Sequence, residues 1–229
     1  MFLSWLPENI SSFGRDIDGI IGLIYYVTLA WFIVTMGTFL VFIVRYRRRP
    51  GQAAGYVRGD RLREAAWILV PCLLVLVLDL WIDFKGAAVW AKVKIDIPQS
   101  DVHIKVTGKQ FNWVITYPGP DGKFGTEDDR TFLDEMHVPA GKPVALTLEA
   151  KDVIHSFFVP NVRVKQDVLP GRAIPAWLDA MKPGKYEMPC AALCGMGHSG
   201  MKATLVVHDA AGWNTWVAEQ WSGGEKDKR

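Results

Sequence analysis

The chain has 229 residues, enough for one domain of ordinary size together with a membrane anchor. Half of the residues are hydrophobic, but the long apolar stretches crowd into the first third, and from Gly86 onward acidic and basic side chains balance. The net charge of +2 therefore belongs to the first third and excludes a nucleic-acid footprint on the remainder. Three cysteines, Cys72, Cys190 and Cys194, exclude the disulfide framework of a small secreted domain.

Residues 20–44 carry no charge. At ~1.5 Å rise per residue they exceed the ~30 Å hydrocarbon core, which predicts a transmembrane helix. A signal peptide is excluded by the length of the run, by the basic flank that follows it and by the lack of a small-residue cleavage site. A second span is predicted over residues 64–88, with Pro71 inside it and Asp79 and Asp83 towards its end. Between the two lies a loop, residues 45–63, with Arg45, Arg47, Arg48, Arg49, Arg58, Arg61 and Arg63 against Asp60 alone. The positive-inside rule makes that loop cytoplasmic. The N-terminal segment 1–19 and everything after the second span are then outside, and the anchor is a hairpin.

From Val102 the pattern changes to short β-rich runs at 102–107, 112–117, 132–138, 143–150, 154–159, 162–168, 173–178, 185–188 and 203–208. Turn pairs such as Pro118-Gly119, Ala140-Gly141, Pro170-Gly171 and Pro183-Gly184 punctuate them. Many short strands at this spacing predict an all-β sandwich over residues 89–210. Trp213, Trp216 and Val217 recur at helical spacing and predict a closing helix over residues 212–221, within a C-terminal stretch 211–229 whose tail from Gly223 is loose. His103, His137 and His208 fall in strand-like segments without a partner pattern.

The most specific stretch runs Cys190-Ala-Ala-Leu-Cys194-Gly-Met-Gly-His198-Ser-Gly-Met201, and His155 lies upstream at the start of the strand predicted over 154–159. Thiolate and thioether are soft donors that suit copper, and imidazole accepts both of its oxidation states. A mononuclear blue-copper site needs one Cys, two His and a weak Met. Two Cys can instead bridge two coppers, each with one terminal His. A tetrahedral zinc site uses the same Cys and His donors but leaves a methionine without a role. A Cys190–Cys194 disulfide leaves both histidines unexplained. Met196 and Met201 are equivalent thioether candidates by residue type.

This cluster, the segment Asp152-Val153-Ile154-His155-Ser156 and the two-helix anchor together resemble cytochrome c oxidase subunit II. The likeness runs from the first helix to about His208. It implies a two-helix transmembrane hairpin followed by an all-β Greek-key cupredoxin sandwich that holds a dinuclear copper centre, CuA. Carried onto this chain, the implied ligands are His155, Cys190, the Ala192 main-chain oxygen, Cys194, His198 and Met201. The family usually has Glu where this chain has Ala192, so no magnesium ligand is expected here. Gly108-Lys109-Gln110-Phe111-Asn112-Trp113 resembles the aromatic stretch that receives electrons, with Phe111 and Trp113 as candidates. Glu64 begins the second helix where the family often has a Glu at a proton-path entrance, a place where the helix dipole also favours a carboxylate. Asp167 and Arg172 flank a Pro-Gly turn resembling a subunit I contact, with a local ion pair as the alternative. Asp121, Glu127, Asp128 and Asp129 give the density of oxygens of a calcium loop without its full spacing, so a solvated hairpin tip is expected. That acidic tip is also a candidate docking surface for a basic cytochrome.

The function implied is electron relay in a proton-translocating respiratory oxidase. Cytochrome c is the donor, haem in subunit I the acceptor, subunit III a further partner and the bacterial inner membrane the location, with both termini periplasmic. A quinol oxidase subunit would lack the copper ligands. A nitrous-oxide or nitric-oxide reductase domain would share them, and a tethered copper store would favour open, exchangeable sites over one closed thiolate cluster.

Overall fold

The computed structural model describes residues 5–221; the expected loose tail from Gly223 lies outside them, as do the first four residues of the N-terminal segment. Residues 16–90 form one compact unit, and the described residues up to Arg15 and from Ala91 onward form the other.

The first unit is a helix pair, α1 (Gly14–Arg45) and α2 (Leu62–Trp90). Both carry windows long and apolar enough to cross a membrane, and neither window is covered by protein. A helix that is apolar all round and uncovered suits lipid, because every backbone polar group inside it is satisfied internally. Ile24, Thr28, Trp31 and Thr35 of α1 share a cleft with Val75, Leu78, Asp79 and Ile82 of α2, so the two run antiparallel. Asp79 lines that cleft. Pro71 sits in α2 without ending it, and Glu64 in the first turn accepts the Gly59 N–H at 2.8 Å.

The second unit is a β-sandwich. Its larger sheet contains β1 (Val102–Lys109), β2 (Asn112–Tyr117), β3 (Arg130–Leu133), β5 (Pro143–Ala150) and β8 (Ile174–Asp179) in the order β3-β2-β1-β5-β8. A second sheet has β4 (Glu135–Pro139), β10 (Lys202–His208) and β9 (Gly184–Pro189) in the order β4-β10-β9, and β6 (His155–Val159) pairs with β7 (Val164–Val168). β1 with β5 and β4 with β10 are parallel; the other pairs are antiparallel. Alternation decides the core: along β5 every second residue is buried. Ile104, Val106, Ile115, Leu146 and Leu148 of the larger sheet and Met136, Val138, Leu205 and Val207 of the second are buried. Each such side chain contributes roughly 1.5–3 kcal/mol relative to exposure.

The single strand expected over residues 132–138 is two strands. Asp134 separates them with φ 57°, a left-handed conformation that Asp tolerates. Its Oδ1 accepts the Trp113 N–H at 2.7 Å and its main-chain oxygen accepts the Thr204 N–H at 2.9 Å. The corner thus transfers the chain from one sheet to the other. β7 begins at Val164 because Arg163 turns the chain at φ 65°. The closing helix α3 (Ala210–Trp221) starts before its apolar pattern, at a cap in which Asp209 Oδ1 accepts the Gly212 N–H at 2.7 Å.

The segment before α1 packs on the sandwich. Ile10 N–H donates to Asn161 O at 2.9 Å, Ile10 O accepts the Met181 N–H at 2.7 Å, and Phe13 is buried edge-on against Trp177 at 5.0 Å. Chain entering α1 and chain leaving α2 therefore belong to the same body.

Candidate metal centre

Two pieces of backbone carry the donors. His155 opens β6, fully buried, and the other donors lie on the loop that follows β9. That loop is closed by its own main chain: Cys190 N–H donates to Met201 O at 3.0 Å, His198 N–H to Gly195 O at 3.1 Å and Met201 N–H to His198 O at 3.1 Å. The Ala191 N–H bonds Ser156 O at 3.0 Å, and a β-bridge joins Phe157 to Cys190. The loop is thus tied to β6 through main-chain bonds.

The side chains form a continuous series of contacts. His155 Nδ1 lies 4.0 Å from Cys190 Sγ, which is 3.3 Å from the Ala192 carbonyl oxygen and 4.0 Å from Cys194 Sγ. Cys194 Sγ in turn lies 3.6 Å from His198 Nδ1 and 3.7 Å from Met201 Sδ. His155, Cys190 and Cys194 bring one donor atom each within 4.8 Å of one another, close enough to hold a metal ion. Met201 is buried, whereas Met196 projects fully into solvent, so the tertiary structure separates two methionines that residue type left equivalent. Burial, together with the neighbouring Cys190, pushes the Cys194 thiol up to about 11. A metal that binds there must displace this proton.

Several residues outside the expected donor set hold it in place. Asp152 Oδ1 lies 2.8 Å from His155 Nε2, and Asp152 Oδ2 accepts the Gln110 N–H at 2.7 Å. Burial alone would raise the Asp152 carboxyl, but hydrogen bonds from Gln110, His155 and Val153 outweigh it and hold the group at about 2. Gln110 Nε2 also donates to Cys194 O at 2.6 Å. Neither role was read from sequence; the Asp-to-His spacing of three was the available signal. Glycines make the packing possible. A Cβ on Gly108 would come within 2.8 Å of the His155 ring, and one on Gly197 within 2.5 Å of the Phe111 ring.

The two aromatic candidates differ in place. Trp113 is fully buried, edge-on to His155 at 6.0 Å and to Phe157 at 5.9 Å. Phe111 is half-buried and lies outside the ligand loop against Gly195 and Gly197. Asp167 accepts the Ser156 hydroxyl at 2.6 Å and pairs with Lys165 at 3.4 Å, while Arg172 is exposed on the Pro170-Gly171 turn. In the acidic tip the oxygens are engaged locally: Asp121 accepts the Lys123 N–H, Asp128 the Thr126 hydroxyl and Asp129 the Gly125 N–H.

Residues 126–209 match the family described as cytochrome C oxidase subunit II, periplasmic domain. A cytochrome c oxidase subunit 2 from Thermostichus vulcanus is 31% identical over 92% of this chain and 77% of its own. The chain belongs to the cytochrome c oxidase subunit II family. An alternative cytochrome c oxidase subunit 2 from Bradyrhizobium diazoefficiens is 26% identical over 96% of this chain and 86% of its own. Among solved structures, the periplasmic domain of subunit II of cytochrome oxidase from Bradyrhizobium japonicum superposes with a TM-score of 0.48 at 33% identity, covering 56% of this chain and 97% of that one. As a subunit II, the chain is part of a haem–copper oxidase complex, membrane-anchored, with its sandwich as the outer domain.

The donor set fits copper. Two buried thiols, two imidazoles presenting Nδ1, a buried thioether and a carbonyl oxygen converge, and the first three donor types are those copper selects.

Proposed function

We propose that His155, Cys190, the Ala192 carbonyl oxygen, Cys194, His198 and Met201 hold a dinuclear copper centre that takes electrons from cytochrome c and passes them to haem in subunit I. There oxygen is reduced to water and protons are translocated. The observation that carries this reading is the unbroken run of donor contacts between 3.3 and 4.0 Å linking all six residues. A copper pair held by these residues would supply a one-electron relay, with the Cys190 and Cys194 thiolates as its sulfur donors.

The protein's part is positioning. Asp152 fixes the His155 ring, Gln110 ties the ligand loop to the β1–β2 turn, the Cys190 N–H bond to Met201 O holds the loop ends together, and the Phe157–Cys190 bridge ties the loop to β6. Electrons enter over Phe111, which reaches the surface above the loop, while Trp113 packs beneath His155. Asp121, Glu127, Asp128 and Asp129 offer a negative surface to a basic donor. Asp167 and Arg172 belong to the contact with subunit I, Glu64 to a proton-path entrance, and subunit III completes the complex. The methyl side chain of Ala192 brings no carboxylate to a magnesium ion.

In this reading the anchor lies in a bacterial inner membrane. Residues 1–19 are outside, 20–44 and 64–88 span, the arginine-rich 45–63 is cytoplasmic, and the copper domain 89–210 and stretch 211–229 are periplasmic. Metal analysis and electron paramagnetic resonance on the full chain in detergent test it. Two coppers per chain sharing one unpaired electron over both nuclei are expected. One zinc, or a single-copper spectrum, overturns it.

A further inference from the structure

His137 and His208, which have no partner pattern in the sequence, are partners in the fold. β4 and β10 run parallel with His137 opposite Val206 and His208 opposite Pro139. Side chains alternate between faces, so Met136, Val138, Leu205 and Val207 point to the core while Glu135, His137, Val206 and His208 share the other face. On that face His137 Nδ1 meets His208 Nε2 at 2.8 Å. The rings are nearly parallel, 16° apart, and Trp216 of α3 lies over both at 4.6 and 6.2 Å.

Glu135 Oε1 lies 2.8 Å from His137 Nε2. A carboxylate only accepts, so that nitrogen carries the hydrogen and Nδ1 is left with its lone pair aimed at His208. This is the arrangement of a carboxylate behind a metal-binding imidazole, in which the rear hydrogen bond sets the tautomer and raises ligand basicity. Burial keeps both imidazoles below their ordinary pKa, and the Lys185 charge adds to this at His137. The neutral form is the one that ligates. His208 is the more exposed ring, at the end of β10, and offers access from solvent.

We propose that His137 Nδ1 and His208 Nε2 form a second, single-ion site for a borderline divalent cation, Zn2+ or Cu2+, with water completing its shell. Zinc–nitrogen bonds of about 2.0–2.1 Å in a tetrahedral shell place two nitrogens about 3.3 Å apart, so the rings need part by only about half an ångström. The ion replaces the hydrogen now shared between them. Bound, it links β4 to β10 beneath Trp216. None of its ligands belongs to the Cys190–Met201 loop or to β6.

The test uses the full chain in detergent, loaded with its copper, and titrated with Zn2+ by calorimetry with metal content counted after gel filtration. One Zn2+ per chain above the copper content is expected. His137→Gln and His208→Gln should each abolish it, Glu135→Gln should weaken it about 10–100-fold, and His103→Gln should leave it unchanged. Unaltered copper absorption shows that each variant is folded. No uptake above the copper content means that the pair shares a proton only, and overturns the proposal. So does uptake that survives both histidine substitutions. Should those variants fail to fold, Glu135→Gln decides: an unchanged zinc affinity there is equally fatal.

Discussion

Asp152 Oδ1 sits 2.8 Å from His155 Nε2, and this contact leaves Nδ1 as the nitrogen facing Cys190 Sγ at 4.0 Å. The carboxylate accepts, so the hydrogen stays on Nε2 and Nδ1 keeps its lone pair for a metal. Asp152→Ala frees the ring, and Asp152→Asn keeps its shape with a weaker acceptor. Both should lower copper affinity, by about 10–100-fold for Ala and less for Asn. Competition against a chelator of known affinity measures this, and equal affinities in all three chains would remove Asp152 from the centre's support.

Cys190 Sγ contacts His155 and the Ala192 oxygen, Cys194 Sγ contacts His198 and Met201, and the two sulfurs join these halves at 4.0 Å. Replacing either with Ser should reduce copper from two per chain to one or none. Oxidase turnover in the assembled complex should fall at least ~100-fold, equivalent to ~2.7 kcal/mol at 1.36 kcal/mol per decade. Turnover retained in either variant would refute the bridged centre.

Gly197 lies under the Phe111 ring, where an added Cβ would stand 2.5 Å from the ring edge. Gly197→Ala should cost roughly 1–3 kcal/mol through overpacking and loosen copper. Phe111→Ala in the same chain removes the clash and should restore much of the loss. Thermal unfolding of the single and double variants reads the coupling, and simple additivity would show that the ring and the loop do not press on one another.

Phe111 is half-buried over the loop and Trp113 is fully buried beneath His155. Phe111→Ala should therefore slow electron uptake from cytochrome c in stopped-flow mixing while leaving the copper spectrum unchanged. Trp113→Phe should lower stability by about 1 kcal/mol or more without slowing the bimolecular step. The reverse pattern would place the electron entrance at Trp113.

Burial holds the His137 imidazole below 6.5, opposed by the Glu135 charge and aided by those of His208 and Lys185; burial lowers His208 too. Between that lowered value and 6.5 the unfolded chain binds more protons than the folded one. Stability from this pair is therefore complete above about pH 6.5 and is lost as pH falls below it. Thermal unfolding of the outer domain, with chelator present, should show a midpoint that drops below pH 6.5. The drop should shrink in the doubly substituted His137→Gln, His208→Gln chain, and an identical pH profile would contradict the assignment.

Local chemistry made much of this molecule legible in its sequence. Uncharged runs, an arginine-rich loop between them, alternating strands and a C-x3-C-x3-H-x2-M pattern each express a rule that acts within a few residues. Where long-range contacts decide, the pattern was silent. Asp134 reads as one more polar residue in a strand, yet its bonds to Trp113 and Thr204 turn the chain between sheets. Asp209 reads as a loop residue and caps α3.

Residue order alone carries the anchor, the β-rich outer domain and the kinds of donor atom available, because hydropathy, periodicity and ligand softness are properties of residues in order. Folding adds that Asp152 stands behind His155 and that His137 meets His208, and it buries Met201, the methionine that the family resemblance implied, while Met196 faces solvent. Those outcomes depend on which faces and loops the sheet register brings together. Pairing between strands distant in the chain sets that register, and no local pattern encodes it.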